Sequence, residues 1–524
     1  MKYGIAFRLL CLWVLLLSIG CTDPADSNKK DTIVTALSTE PVSLNPVFLT
    51  DFNSYAMSEL VFRGLVKLDN GMKVTPDMAE SWEIRGGGRE ITFHLKKNIR
   101  WHDGGEFTAD DVVFTYRAIA APKTATPQAG RFGPIKDVIA LDKYTVSIRY
   151  SEPYGSALES WTIGMIPKHI LQNRDINDSS FDSKPIGTGP YKLNEWQRGQ
   201  LLKLEANGDY YAGKPKIDKL IIKIMPDAAS RMFELQSGQI DVMELIPSQY
   251  SNDKKYRNNF QKFNANAFRY GFLGLNLLDE RFKDKRVRQA ISCAIDKEAI
   301  IKIVLMGLGK VSTGPYPSVA WYHNDEVKPL EYDPAKATKL LEAAGWKKDN
   351  HGVLNKKDKP FSFTILTNYE SKENIKTAQF IQDNLKAIGI LTEIVQLEWQ
   401  TFRFKTIDKR HFEAVVMSRA YLWDPDIYDL WHSSKTKEGD WNFFSYKNAE
   451  LDALLDKGRK TINTNDRRQI YHKVHDRLFD DQACIFLYET PLLFAAHKRI
   501  KGVKPSPMGI YHNVAEWSLG DSAQ

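Results

Sequence analysis

The sequence is poor in cysteine and lacks the short motifs of common enzymes. Only 4 cysteines occur in 524 residues, and no pair of them has the spacing of a structural zinc site. The patterns Gly-x-Ser-x-Gly and His-Glu-x-x-His do not occur. Residues Gly307 to Ser312 look like part of a phosphate-binding loop, but their first glycine is wrongly spaced. We therefore expect neither catalysis nor a cofactor or a bound metal.

The chain also lacks a strong excess of charge of one sign. It has 72 Lys and Arg against 65 Asp and Glu, a formal net charge of +7. Its basic residues form only short clusters, such as Lys347-Lys348 and Lys356-Lys357, which are typical of solvated loops. Nucleic acid is therefore not an expected partner. Hydrophobic residues make up 43% of the chain, which is typical of a globular protein. At this length two or more lobes are expected.

The longest apolar run lies at the start of the chain. Lys2 and Arg8 give the chain a positively charged start. An almost wholly apolar stretch follows at residues 9–19 and is too short for a fixed membrane span. We expect residues 1–20 to be a signal peptide. The polar residues 21–30 would then form a short tether.

The end of this run resembles the lipobox of bacterial lipoproteins. It reads Leu17-Ser-Ile-Gly20-Cys21, with Ser18 where a lipobox has Leu. In such proteins the chain is cut before the cysteine, and a diacylglyceryl group is attached to its sulfur. The resemblance implies that Cys21 is acylated and that the protein is anchored to a membrane without spanning it. An ordinary cleaved signal peptide is the alternative.

Two further cysteines lie in apolar segments of the expected mature chain. Cys293 is flanked by Ser292 and Ala294, and Cys484 lies between Ala483 and Ile485. Two buried free thiols and one disulfide both fit this pattern.

The most informative stretch runs from Asp77 to Tyr116. Ile91, Phe93 and Leu95 alternate with polar residues, which predicts a half-buried strand. Residues 86–88 are glycines, which allow positive φ, so residues 82–84 and this strand are expected to form a hairpin. Thr108 and Asp111 then have the spacing of a capping box and predict a helix start.

The order of these parts resembles the signature of family 5 of the bacterial extracellular solute-binding proteins, which includes oligopeptide- and dipeptide-binding proteins. The matching segments are Ala79-Glu-Ser-Trp82, Ile91 to Gly104 and Phe107 to Tyr116. Other segments that resemble the family are Glu40 to Pro46, Ile166 to His169 and Gly187 to Tyr191. The resemblance covers essentially all of residues 31–524.

The resemblance implies an α/β fold of the periplasmic-binding-protein type, with two hinged lobes and a hairpin-rich third subdomain. The expected division is lobe I over 31–267 with the subdomain inserted at about 50–180, lobe II over 268–483, and a return to lobe I over 484–524. A strand over 268–276 would cross to lobe II, and strands over 483–488 and 492–496 would cross back. Alternating strands and helices from Phe361 to Met417 also predict a mainly parallel sheet with right-handed crossovers.

The resemblance further implies a substrate-binding lipoprotein of an ABC importer. It would capture peptides in the cleft between the lobes and deliver them to a membrane permease that works with ATPase subunits. A monomer is expected, in the periplasm or on the outer face of the cytoplasmic membrane. The same fold with a nickel chelate, haem, oligosaccharide or opine as ligand is one alternative. A secreted hydrolase is another, from a different class.

The segment Ser418 to Asp426 is the main candidate for ligand contact. It follows a predicted strand end, where α/β proteins open their ligand sites, and it resembles the family's Asp-Pro loop. In peptide-binding members an Asp four residues before that proline holds the peptide's ammonium group, and here the position is Tyr421. The ammonium clamp therefore does not carry over. Asp424 or Glu40 can replace it, or the ligand has no free ammonium group.

The candidate ligand-binding residues combine this segment with other predicted strand ends and with the crossing to lobe II. They are Glu40, Tyr270, Asn368, Tyr369, Trp399, Tyr421, Trp423 and Asp424. Aromatic walls suit varied ligand side chains, and polar groups fix orientation. Packing in a core is the alternative role for the aromatic residues.

Overall fold

The computed structural model describes residues 31–178, 180–251, 260–420 and 424–520. The predicted signal peptide, the tether with Cys21, and the candidate residues Tyr421 and Trp423 lie outside the described residues. Within the described ranges, no helix has the length and apolar character needed to cross a membrane.

The strands of the first half belong to a large sheet and to smaller hairpins. They are β1 (Thr32–Leu37), β2 (Val66–Leu68), β3 (Val74–Pro76), β4 (Ala79–Arg85), β5 (Glu90–Leu95), β6 (Ile135–Asp142), β7 (Thr145–Tyr150), β8 (Tyr191–Gln197), β9 (Leu201–Ala206), β10 (Lys219–Ile224) and β11 (Val242–Leu245).

The strands of the second half include the two longest. They are β12 (Phe260–Leu275), β13 (Lys310–Val311), β14 (Lys347–Lys348), β15 (Leu354–Lys356), β16 (Lys359–Pro360), β17 (Ser362–Asn368), β18 (Leu391–Leu397), β19 (Ala414–Ala420), β20 (Ile485–His497), β21 (Ile500–Lys501) and β22 (Ser518–Leu519).

Several helices begin at an aspartate whose side chain accepts a hydrogen bond from a first-turn N–H, as Asp284, Asp296 and Asp333 do. The α-helices are Phe52–Val61, Ala109–Ala120, Ala129–Phe132, Lys168–Leu171, Ser180–Ser183, Ala228–Gln236, Pro247–Ser251, Glu280–Lys283, Lys285–Ala294, Lys297–Ile303, Pro334–Ala343, Lys372–Ala387, Tyr428–Trp431, Ala449–Lys460 and Thr464–Asp481. Short 3-10 helices are Pro46–Phe48, Glu159–Thr162, Ser433–Lys435 and Ile510–Glu516, and Thr401–Ile407 is a π-helix.

The hairpin and the capped helix of the signature stretch are confirmed. β4 and β5 pair antiparallel, and Gly86, Gly87 and Gly88 in the turn all have positive φ. Thr108 and Asp111 form the capping box at the start of Ala109–Ala120. β4 to β7 make a separate four-stranded sheet in the order β4-β5-β7-β6.

One eleven-stranded sheet runs through both halves of the chain. Its order is β18-β17-β19-β12-β20-β11-β1-β10-β9-β8, with β13 paired to β20. β17 is parallel to both β18 and β19, which confirms the parallel arrangement predicted for this part. In the first half, β1 is parallel to β10 and β11.

The pair β12 and β20 joins the two parts of this sheet. The strands are antiparallel, with partners from Phe260 and His497 at one end to Leu273 and Ile485 at the other. The predicted break between strands 483–488 and 492–496 was wrong, because β20 is a single strand. Pro491 inside it lies opposite a register shift between Ala265 and Arg269, where the ladder does not need its missing N–H. The strand predicted over 268–276 likewise begins earlier, at residue 260.

Buried side chains form separate cores in the two parts. The first includes Trp161 and spans residues 33–517 in sequence. In the second part, alternate residues of β19 point to opposite faces of the sheet. Ala414 and Val416 enter one core, whereas Val415 and Met417 enter another that is rich in aromatic rings. Of the alternatives for the cysteines, the structure has two buried free thiols.

A buried polar network connects the hairpin-rich region to the second part. Arg467, which is only 2% exposed, donates from Nη1 to Glu159 Oε1 at 3.1 Å. Its Nη2 donates to both carboxylate oxygens of Asp424, at 2.8 and 2.9 Å. Ser156 Oγ donates to Asp424 Oδ1 at 2.8 Å. Burial and the charge of Asp424 raise the pKa of Glu159 to about 7, and the Arg467 charge offsets only part of this rise.

We predict that Glu159 lowers the stability of the protein as the pH rises from about 4.5 to about 7. In this range the native protein keeps a proton on Glu159 that the unfolded chain has released, because the pKa of Glu159 is raised by folding. Glu159→Gln removes the titration, so the free energy of unfolding of the wild type should fall relative to that of the variant. Urea unfolding at several pH values measures this difference.

The matched control is Glu152→Gln, which removes a carboxylate that pairs with Lys460 on the surface at 3.1 Å. Its free energy of unfolding should follow the wild type across the same pH range. A difference between wild type and Glu159→Gln that does not change with pH would contradict the prediction.

Candidate functional site

The carboxyl ends of β17, β18 and β19 lie at one edge of the sheet, because these strands are parallel. Ligand sites of α/β proteins open at such edges. Tyr369 follows β17 and is 53% exposed, and Trp399 follows β18 and is 40% exposed. Large aromatic side chains are costly to leave in water, so these rings mark a surface that is suited to binding.

Polar contacts hold the loops of this edge together. Glu370 accepts from Asn368 Nδ2 at 3.1 Å and from the backbone N–H of Trp399 at 3.0 Å. Asn374 donates from Nδ2 to Asn368 Oδ1 at 3.3 Å and accepts from Ser418 Oγ at 3.1 Å. The structure therefore brings Asn368, Tyr369 and Trp399 together. It gives Asn368 a structural task between loops, and its ligand contact stays a prediction.

Tyr270 lies on β12, in register with Arg419 on β19. Its ring is 2% exposed and packs 5.6 Å from the rings of both Phe272 and Phe486. Burial raises the pKa of Tyr270 to about 12, against the opposing effect of the Arg419 charge and a side-chain hydrogen bond to it. In this structure Tyr270 is a core residue beneath the edge, which is the alternative role considered for it.

The structure places the two candidate acids elsewhere. Asp424 lies in the Arg467 network, where both of its carboxylate oxygens are already hydrogen-bonded to a guanidinium. Glu40 lies in the first part, where its Oε1 accepts from Trp196 Nε1 at 2.8 Å. Arg198 stacks on the same indole at 3.5 Å. Their roles as ammonium ligands stay predictions. A ligand's ammonium group would have to compete with Arg467 for the carboxylate of Asp424.

A group of residues beside the edge was not predicted from the sequence. Arg419 lies 5.2 Å from the ring centroid of Phe443 and 5.7 Å from that of Trp441. Arg403 lies 5.0 Å from the Trp441 ring. The sequence does contain a signal for Arg419. Val415 and Met417 are buried on the same face of β19, so Arg419 puts a charge where the alternation predicts an apolar residue.

A family model described as bacterial extracellular solute-binding proteins, family 5 Middle, matches residues 73–441. The chain belongs to this family. The resemblance noted from the sequence is thus confirmed. In keeping with it, the oligopeptide-binding protein AppA of Bacillus subtilis is 36% identical over 495 residues, which are 92% of this chain and 90% of AppA.

Solved structures agree with the fold of this solute-binding protein. AppA from Bacillus subtilis, in complex with a nonapeptide, has a TM-score of 0.75 and 34% identity and covers 93% of this chain and 99% of its own. NikZ from Campylobacter jejuni, in complex with Ni(L-His), has a TM-score of 0.79 and 33% identity, with the same coverage. The α/β fold of the periplasmic-binding-protein type is confirmed. Relatives of nearly equal similarity hold chemically different ligands.

We predict that Trp399 contributes to ligand binding and little to stability, because its ring is partly exposed at the sheet edge. Trp399→Ala should reduce the amount of ligand that co-purifies with the protein, since an aromatic contact surface is lost. Its melting temperature without ligand should change by only a few degrees. Native mass spectrometry and thermal unfolding measure the two effects.

Phe233→Ala is the matched control, because Phe233 is also an exposed aromatic residue but lies on the helix Ala228–Gln236. This control should keep the ligand. Equal ligand occupancy in wild type and Trp399→Ala would remove Trp399 from the site.

Proposed function

We propose that this solute-binding protein is the substrate-binding component of an ABC importer. It captures peptides in a cleft between two lobes and delivers them to a membrane permease. The observation that carries the proposal is the antiparallel pair β12 and β20, which joins two parts with separate cores. Two strands can bend or twist together without losing their ladder, so the parts can rotate relative to one another.

The proposed lobes follow from this crossing. Lobe I comprises residues 31–267 and 484–524, lobe II comprises 268–483, and the hairpin-rich subdomain spans about 50–180. The first boundary falls inside the register shift of β12 between Ala265 and Arg269, where the ladder is already interrupted. The candidate edge with Tyr369 and Trp399 belongs to lobe II. Glu40 and Trp196 belong to lobe I.

Peptides are the first candidate for the cargo. AppA of Bacillus subtilis, which is named for oligopeptide binding, is 36% identical to this chain. The exposed rings of Tyr369 and Trp399 suit ligands with varied side chains. A peptide would be held mainly by backbone hydrogen bonds and such aromatic walls, since position 421 does not carry the family's ammonium-binding Asp.

A non-peptide ligand in the same fold is the second candidate. NikZ, whose structure contains Ni(L-His), matches this chain as well as AppA does. A relative that is 28% identical, from Haemophilus influenzae, is named heme-binding protein A. A small chelate, haem, opine or oligosaccharide would need fewer backbone contacts than an extended peptide.

Binding without chemical conversion is part of the proposal. Lobe closure around a ligand excludes water and strengthens polar contacts, and opening at the permease releases the ligand unchanged. A secreted hydrolase would instead release product. Incubating the protein with a peptide mixture and following free amino groups separates the two, and sustained product formation would reject the importer assignment.

We propose that Cys21 carries a lipid and holds the monomeric protein at the outer face of the cytoplasmic membrane. An acyl anchor would keep the binding protein close to the permease and its ATPase subunits. In bacterial cells that produce the chain, Cys21→Ala should move the protein from the membrane fraction to the soluble extract. Unchanged membrane retention of this variant would argue against the anchor.

The central test is native mass spectrometry of freshly purified protein, followed by small-angle scattering. We expect a co-purified peptide or other small compound. Rebinding it to protein that has been unfolded, stripped and refolded should reduce the radius of gyration as the lobes close. Absence of any bound compound, together with no compaction by a peptide library, would count against the proposed function.

A further inference from the structure

Arg419 occupies a position on β19 that the rest of the strand uses for apolar packing. Val415 and Met417 precede it on the same face and are buried in the aromatic core of this part. The side chain of Arg419 is half-buried, and its Nη1 atom is fully covered. A guanidinium in such surroundings loses hydration, and that loss must be compensated by polar partners.

No such compensation is present for Nη1. It has no hydrogen-bond partner, and within the described ranges no carboxylate lies within 4.0 Å of the Arg419 guanidinium. One of its charged neighbours is another arginine, Arg403. Burial lowers the pKa of Arg403, and the positive charges of Arg419 and Arg410 lower it further. Asp408 is in contact with Arg403. Arg403 is thus paired with a carboxylate, whereas Arg419 has no ion pair among the described residues.

Phe443 and Trp441 pack beside Arg419 without using its donors, whereas Tyr270 forms a side-chain hydrogen bond to it. Phe443 and Trp441 lie 5.2 and 5.7 Å from its guanidinium carbon. An arginine that stacks on rings keeps its N–H groups in the guanidinium plane available for a planar acceptor. Trp441 is 51% exposed, so the group borders the surface at the proposed ligand edge. Trp399 follows β18, whose carboxyl end lies at the same edge of the sheet.

We propose that Arg419, bordered by Trp441 and Phe443, is a subsite for a carboxylate of the ligand. A carboxylate matches the two-pronged geometry of a guanidinium and would supply the missing partner and the missing negative charge. The proposal rests on the proposed function and specifies it. Position 421 does not carry the acid that would attract a ligand's ammonium group, and a cation two residues earlier selects for the opposite charge.

The test uses the mature chain, stripped of ligand by unfolding and refolding, in calorimetric titrations. The probes are a peptide that binds the wild type, its C-terminal amide, its N-acetylated form, and succinate as a free acid. For the wild type, amidation should weaken binding about tenfold or more, whereas N-acetylation should have little effect. In Arg419→Gln the free acid and the amide should bind equally. Arg419→Lys keeps the charge but loses the planar pair of N–H donors. Its preference for the free acid over the amide should lie between those of the wild type and Arg419→Gln.

Arg286→Gln is the matched control, because Arg286 is an exposed helical arginine paired with Asp284 and lies away from the sheet edge. It should discriminate between acid and amide as the wild type does. Thermal unfolding of each variant checks that it folds. A folded Arg419→Gln with unchanged preference for the free acid overturns the subsite, as does a wild type whose binding stays the same when every carboxylate of the peptide, C-terminal and side-chain, is converted to an amide.

Further outcomes separate this inference from the proposed peptide cargo. If peptides fail to bind but native mass spectrometry finds a co-purified carboxylic acid that Arg419→Gln loses, the peptide assignment fails and the subsite stands. If peptides bind through an acidic side chain, amidation has no effect but replacing that side chain by its amide does, which supports the subsite. If the co-purified ligand has no anionic group, the subsite is rejected. If no probe binds and nothing co-purifies, both proposals fail.

Discussion

The architecture depends on the antiparallel pairing of β12 with β20. These are the two longest strands, and they connect the sheet order β18-β17-β19 on one side with β11-β1-β10-β9-β8 on the other. A shift by one residue would turn every side chain of a strand to the opposite face. The cores on both sides, with Leu273 on β12 and Phe494 on β20, therefore fix the register. The interruption beside Pro491 places the weakest part of the ladder between the two cores.

A second tie between the halves has a different chemical character. One buried guanidinium, from Arg467, pairs with two partly buried carboxylates, Glu159 and Asp424. Separating the members of such a network costs more free energy than separating apolar side chains, because it leaves charges without partners. Glu159 has its pKa raised within it, so the net charge of the network depends on pH. The strands provide a permanent connection, and the ion network provides one that can be altered by conditions.

The same framework supports different ligands in relatives, and the structure indicates how. The helices and strands that carry the cores are separate from the loops that present Tyr369, Trp399 and Trp441 at the carboxyl edge. Changes in these loops leave the sheet untouched. A peptide complex of AppA and a nickel–histidine complex of NikZ have similar overall agreement with this chain. Ligand choice must therefore be argued from single side chains such as Arg419, and fold similarity alone does not determine it.

The sequence by itself determined the features that depend on neighbouring residues and on the family signature. The β4–β5 hairpin, the capping box at Thr108, the parallel β17–β18–β19 arrangement and the family were all predicted, because periodicity, glycine turns and caps act over a few residues. Only the tertiary structure decided the partners of Asp424, since Ser156 is 268 residues away from it, and those of Arg467, since Glu159 is 308 residues away. It also decided the continuity of β20, the burial of Tyr270 and the missing partner of Arg419 Nη1. Those features depend on which distant segments come into contact in the folded chain, and the local sequence pattern contains no information on those contacts.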